Sequence, residues 1–164
     1  MPTQRVRYEF TVNLPAGRPD AYRWATDFRP TDFGVMELGG RRRVRHLAPD
    51  LVLLTDSFTA DPFSAQRGRR AVKTKLVHLD PARWRWTSTH LAGPAKNSQF
   101  IYELTPRGAR GSTLRFTGIQ VEQAAEMPTA RSLEHRAREL RTEDSKLWRR
   151  LAEGMRRDLA SRTG

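Results

Sequence analysis

Four histidines, no cysteine and two stretches dense in arginine are the chemistry-bearing features of this 164-residue chain. The missing cysteine excludes disulfides, thiolate metal sites and thiol catalysis. His46, His78, His90 and His135 show neither His-x-x-x-His nor His-Glu-x-x-His spacing. His78 and His90 fall toward opposite ends of one predicted hairpin, many residues apart at about 3.3 Å each, so no metal site is predicted. Gly39-Gly40 and Gly108-Ala109-Arg110-Gly111 lack the Gly-Lys-Ser/Thr signature and the strand–loop–helix setting of a phosphate loop. His90 is the most tempting catalytic candidate. It lies near the end of an alternating strand with Ser88 on the same face, and with Tyr102 nearby it could act as general acid or base. The competing role is a hydrogen-bonded wall residue, and no set of nucleophile, base and orienting group can be assembled, so no catalytic residue is assigned. Asp56 stands between Leu54 and Phe58 on an otherwise apolar strand. An inward Asp56 must either hold its proton or pair with an arginine, and a paired structural carboxylate is the reading adopted.

The two arginine stretches read as a basic surface: Arg41, Arg42, Arg43 and Arg45 in the first, Arg67, Arg69 and Arg70 in the second. The net charge is +12, from 30 basic residues of which four are lysine and the remaining 26 arginine. That skew reads as codon composition more than arginine-specific chemistry, but the surrounding field is positive either way. The C-terminal segment adds basic residues and also Glu134, Glu139, Glu143, Asp144, Glu153 and Asp158, so much of its charge is locally paired or solvated. Association with RNA or the ribosome is one alternative, and transient contact with an anionic membrane surface is another. No recognised nucleic-acid motif occurs, so nucleic acid is not favoured.

The elements that must position these residues follow from periodicity. Val6, Tyr8, Phe10, Val12 and Leu14 alternate with Arg7, Glu9, Thr11 and Asn13, which predicts a strand over about 5–14 with one buried face. Pro15 to Asp20 turns the chain, Ala21–Phe28 reads as a short helix that Pro30 ends, and Thr31–Leu38 reads as a second helical or turn segment, so that short helices occupy about 20–38. A run of strands over about 42–122 follows: Arg42–Leu47, Leu51–Ala60, Arg70–Leu79, Arg83–Leu91, Ser98–Thr105 and Ser112–Glu122. A 105–111 loop pairs Leu104 with Ser112, Tyr102 with Leu114 and Phe100 with Phe116. For the Asp80-Pro81 hairpin, a two-residue turn separates Val72 and Leu76 from Trp86, and an odd-length loop or bulge is expected to bring Leu76 and Trp86 to one face. From about 130 to 161 a long helix is predicted, with Leu140, Leu147, Trp148, Leu151, Met155 and Leu159 along one stripe. Composition is that of a single globular domain spanning 1–164, with no repeat or linker. The N-terminus enters the first strand without an apolar leader and no long apolar span occurs, so a cytoplasmic location is expected.

Strand Arg7–Val12, helix Ala21–Phe28, strand Trp84–Thr89, and Tyr102–Pro106 leading through Gly111–Leu114 into the last strand together resemble the START-like superfamily. This superfamily is also called SRPBCC, or the polyketide cyclase and lipid-transport superfamily. The resemblance implies an α+β helix-grip fold: a curved antiparallel sheet of about seven strands wrapped around a long C-terminal helix, with two short helices after the first strand. It also implies a deep apolar cavity between sheet and helix. On that basis Phe10, Val72, Thr74, Leu76, Trp86, Ser88, His90, Phe100, Tyr102 and Phe116 are expected on the concave side, with Leu147, Leu151 and Met155 descending from the helix. Thr74, Ser88, His90 and Tyr102 are the polar members, and each of these residues has core packing as its alternative role. The expected function is binding or transport of a small hydrophobic or amphipathic molecule such as a lipid, quinone or polyketide. A polyketide cyclase, aromatase or dehydratase with His90 and Tyr102 as candidates is the enzymatic alternative. No cofactor is expected, and the oligomeric state is open.

Overall fold

The computed structural model describes residues 1–32, 39–59 and 70–162. Its strands are β1 (Thr3–Leu14), β2 (Gly40–Ala48), β3 (Leu51–Thr59), β4 (Arg70–Asp80), β5 (Arg85–Ala92), β6 (Gln99–Arg107) and β7 (Gly111–Gln123). Helix α1 spans Arg18–Thr26 and helix α2 spans Ala130–Arg162. The strands form one antiparallel sheet in the order β1-β7-β6-β5-β4-β3-β2, so the first strand crosses to pair with the last and leaves β1 and β2 as the edges. This is the α+β helix-grip arrangement, an open curved sheet with a long C-terminal helix packed against it. Among the described residues one helix follows β1. Most of the expected second segment, Thr31–Leu38, lies outside the described residues.

The alternation of β1 places Val6, Tyr8, Val12 and Leu14 in the core, and Phe10 stacks on Phe116 of β7 at 4.6 Å between ring centres. Tyr8 faces Gly118 across that pair, and a Cβ on Gly118 would lie 2.6 Å from the Tyr8 ring, so only glycine admits the tyrosine there. α2 opens on a reciprocal cap, the Thr129 amide donating to Ser132 Oγ and the Ser132 amide to Thr129 Oγ1. Leu140, Trp148 and Met155 form its most deeply buried stripe, with Leu147, Leu151 and Leu159 half-buried beside it. α1 is tied to the far end of α2 by the Trp24 indole N–H, which donates to Asp158 at 2.9 Å.

Two register expectations need correction. β6 and β7 pair Leu104 with Leu114, Tyr102 with Phe116 and Phe100 with Gly118, two residues away from the expected register. The loop is only 108–110, with Gly108 at φ +62, and a slip of two keeps every side chain on its expected face. The β4–β5 connection is even, not odd: a single 3₁₀ turn over Pro81–Arg83 followed by Trp84 in a left-handed conformation, φ 53. Leu79 therefore faces Trp86, and Val77 faces Ser88. A register shift does occur in this pair, but between Thr74 and Lys75, after which Lys75 faces His90.

Candidate functional site

The even β4–β5 connection decides what the concave face is made of. With Leu79 beside Trp86, the residues that share that face are Lys73, Lys75 and Val77, while Val72, Thr74 and Leu76 turn to the convex side. Val72 is 49% exposed, so the placement of Val72, Thr74 and Leu76 in the cavity is corrected by strand parity. Next to β4, β3 presents Leu54, Asp56 and Phe58 inward. On the edge strand β2 Arg42 faces Asp56 in register.

A cavity of about 350 Å³ lies between this half of the sheet, the end of α1 and the C-terminal half of α2. One wall is aromatic. Trp86 stacks on Tyr102 at 4.9 Å with the rings nearly parallel, and Trp148 of α2 stands 5.6 Å from Tyr102. Leu147 and Leu151 continue this wall from the helix, and Trp24 and Phe28 close it from the α1 side. Phe10, Phe100, Phe116 and Met155 lie outside the cavity wall. The three rings pack among themselves under α2 and Met155 is fully buried, so this half of the concave face is filled. Of the thirteen expected residues, Trp86, Ser88, Tyr102, Leu147 and Leu151 line the cavity.

The opposite wall is charged, where the resemblance implied an apolar one. Asp56, only 1% exposed, accepts from Arg42 Nε at 2.8 Å and from Arg42 Nη2 at 2.9 Å, and Lys75 Nζ lies 3.0 Å from the same carboxylate. Arg42 Nη1 also donates to Asp32 at 2.7 Å, and the guanidinium sits 5.9 Å from the centre of the Phe28 ring. Burial pushes the Asp56 carboxyl up, but the Arg42 hydrogen bonds and the Lys75 charge outweigh it and hold it below the ordinary aspartate range. Burial lowers Arg42 too, and its two aspartates more than restore it, so it sits above the ordinary arginine value. Lys75 goes the other way: burial first, then the charges of Arg42 and Lys73, bring its ammonium below the ordinary lysine value against the pull of Asp56. Arg42 therefore does not belong to a basic surface. Arg41, Arg43 and Arg45 alternate with it on the exposed side of β2. Arg67 and Arg69 lie outside the described residues, and Arg70 opens β4.

His90 and Tyr102 are not brought together. Trp86 pairs with Tyr102, so His90 lies four residues further along β5, roughly 13 Å away at the rise of a strand. His90 is buried behind the cavity wall against Phe100, with its Nδ1 unpartnered among the described residues. Burial, with Lys75 and Lys73 adding to it, pushes its pKa down to about 3, so the ring is neutral at pH 7. Tyr102 does reach the cavity. Burial and the Asp144 charge push its phenol up, with Arg42 opposing, so it presents a neutral hydroxyl. Asp144, on the α2 side, accepts a hydrogen bond from the buried Tyr8 hydroxyl. Among the described residues no group of three histidine, aspartate or glutamate side chains converges as a metal would require.

The sequence reading missed Lys73, Lys75, Trp24 and Phe28, and the inward role of Arg42. One signal was available: an aspartate inside an apolar strand, followed by a strand whose Lys73 and Lys75, two residues apart, place two cations on one face.

No family model and no curated protein matches this sequence. Solved structures do. The Zhui aromatase/cyclase from Streptomyces sp. R1128 is similar over 98% of this chain and 97% of its own, with TM-score 0.71 at 14% identity. A START superfamily protein from Mycobacterium smegmatis is similar over 92% and 97%, with TM-score 0.70 at 13% identity. Ara h 8.0201 is similar over 93% and 98%, with TM-score 0.67 at 8% identity. Strand order, helix placement and these similarities agree, and the chain has the START-like, or SRPBCC, helix-grip fold.

Proposed function

We propose that this protein binds a small amphipathic molecule in the cavity between sheet and helix. Its apolar, ring-bearing part lies against Trp86, Tyr102 and Trp148, and its polar end meets Arg42, Asp56 and Lys75. The observation that carries this reading is the composition of the cavity itself: an aromatic wall and a hydrogen-bonded charge cluster facing one space of about 350 Å³. Apolar burial supplies affinity in such a site, and a few fixed polar groups supply orientation. Lipids, quinones and polyketide-like molecules all fit that description.

Native mass spectrometry of the protein from its own host, followed by denaturing extraction, tests the reading. A bound molecule in stoichiometric amount is expected, and it should be lost in Leu147→Trp, which fills the cavity from a half-buried position on α2. A protein that carries no molecule, or one whose bound molecule is indifferent to Leu147→Trp, would overturn it.

The enzymatic version, a polyketide cyclase, aromatase or dehydratase, draws on one observation: Tyr102 offers a neutral phenol in the cavity, near enough to Asp144 and Arg42 to feel their charges. There Tyr102→Phe should abolish turnover and leave binding of the extracted molecule nearly intact.

A further inference from the structure

We propose that Lys75 is a nucleophilic amine that forms an imine with an aldehyde or ketone group on the molecule held in the cavity. This rests on the ligand-binding reading and names the functional group that the site takes.

Lys75 reaches the cavity from the middle of the sheet, flanked in register by Leu54 on β3 and His90 on β5. Its side chain is 23% exposed, open to the cavity and largely shut off from bulk water. It is the second cation on a carboxylate that is already paired: Arg42 engages both Asp56 oxygens and uses its remaining arm on Asp32. Asp56 would be hydrogen-bonded and neutralised without Lys75. The lysine therefore holds its proton against a guanidinium that shares its only described carboxylate partner, in a poorly hydrated place. A cationic neighbour and desolvation are the two conditions that turn a lysine into a free amine at neutral pH. Lys73, two residues along the same face, adds a further positive charge, with its Nζ 5.4 Å from the centre of the Phe58 ring. The neutral His90 across the strand pair adds none.

The chemistry balances without any added oxidant or reductant. The ammonium gives one proton to solvent and Nζ attacks the carbonyl carbon, which forms the C–N bond of a carbinolamine. The carbonyl oxygen then leaves as water, taking with it the two hydrogens of the free amine. Asp56 stays ionised throughout and fixes the position of Nζ, while the rings of Trp86 and Tyr102 offer a flat surface to an aromatic carbonyl compound.

The test uses the folded wild-type protein, 2-naphthaldehyde and sodium cyanoborohydride near neutral pH, followed by peptide mapping. Hydride reduction traps an imine as a naphthylmethyl amine. The chain has only four lysines, so the outcome is easy to read. The expected result is modification of Lys75 exceeding that of Lys96 and Lys146 by about tenfold or more, because the cavity holds the aldehyde beside Nζ and keeps bulk water from the amine. The adduct should disappear in Lys75→Arg. Labelling spread evenly over the lysines, or favouring Lys73 over Lys75, overturns the proposal. The unreactive 2-naphthalenemethanol, followed by quenching of tryptophan fluorescence, separates the two levels of the argument. Saturable quenching without Lys75 labelling removes the imine and leaves the binding site standing. No quenching and no labelling counts against both.

Discussion

Asp56 carries the polar end of the cavity, and its removal is the sharpest test at the scale of single residues. Asp56→Asn keeps the volume but leaves Arg42, whose side chain is 9% exposed, and Lys75 facing each other without their shared carboxylate. Breaking a buried pair in this way is expected to cost about 3–5 kcal/mol, read from urea unfolding. His90 makes a separate prediction with pH. The folded chain keeps the ring neutral down to about pH 3, whereas the unfolded chain takes up a proton below the ordinary histidine value of 6.5. The unfolded state therefore binds more protons between these values, and stability falls as pH falls through the window. Wild-type protein should lose about 1.4 kcal/mol per pH unit below 6.5 from this group, and His90→Gln should lack that component in urea titrations at pH 7, 6 and 5. An unchanged slope in the variant would refute the assignment.

The contact of β1 with β7 and the docking of α1 on α2 set the shape of the fold at the scale of elements. Gly118→Ala would put a methyl group 2.6 Å from the Tyr8 ring and push the tyrosine off Asp144. A loss of about 1–3 kcal/mol is expected, and Tyr8→Leu in the same background should recover part of it, because the smaller side chain clears the new methyl. Trp24→Phe deletes the hydrogen bond to Asp158 while leaving a ring in place. That substitution should cost about 1 kcal/mol and speed amide exchange in α1 more than in β7, since the bond ties α1 to the end of α2.

The charge of +12 acts at the scale of the whole molecule and is distinct from the charge of the cavity. Arg41, Arg43 and Arg45 project from the edge strand away from the cavity, while the long helix pairs part of its own charge through Arg136 with Glu122 and Glu139. Retention on heparin is expected and should fall steeply with salt, with replacement of Arg41, Arg43 and Arg45 by glutamine eluting at lower salt. The same triple variant should bind 2-naphthalenemethanol like the wild type, because an apolar contact inside the cavity is only weakly screened. Equal loss of both would mean that surface and cavity are one site.

Periodicity and punctuation were enough to determine a strand at Val6–Leu14, a run of antiparallel strands and an amphipathic helix from Ala130, and hence the helix-grip order. Each of those signals is local and repeated, and the resemblance to the START-like fold follows from their sequence. The inward Asp56 and its need for an arginine were also legible, from one charge set between Leu54 and Phe58. Which face of β4 looks into the cavity was not legible, because it turns on the parity of a single connection. The even Pro81–Trp84 link, with Trp84 held at positive φ, sends Lys73 and Lys75 inward and Val72 and Leu76 out, against the direction that hydrophobicity alone suggests. Only the tertiary structure decided that, because a lysine is tolerated on the concave face only where a carboxylate from a neighbouring strand meets it, as Asp56 meets Lys75. The aromatic side of the concave face was settled the same way: Phe10, Phe100 and Phe116 could fill space or line it, and the position of α2 left them packed and opened the cavity over β2–β5 and Tyr102 of β6.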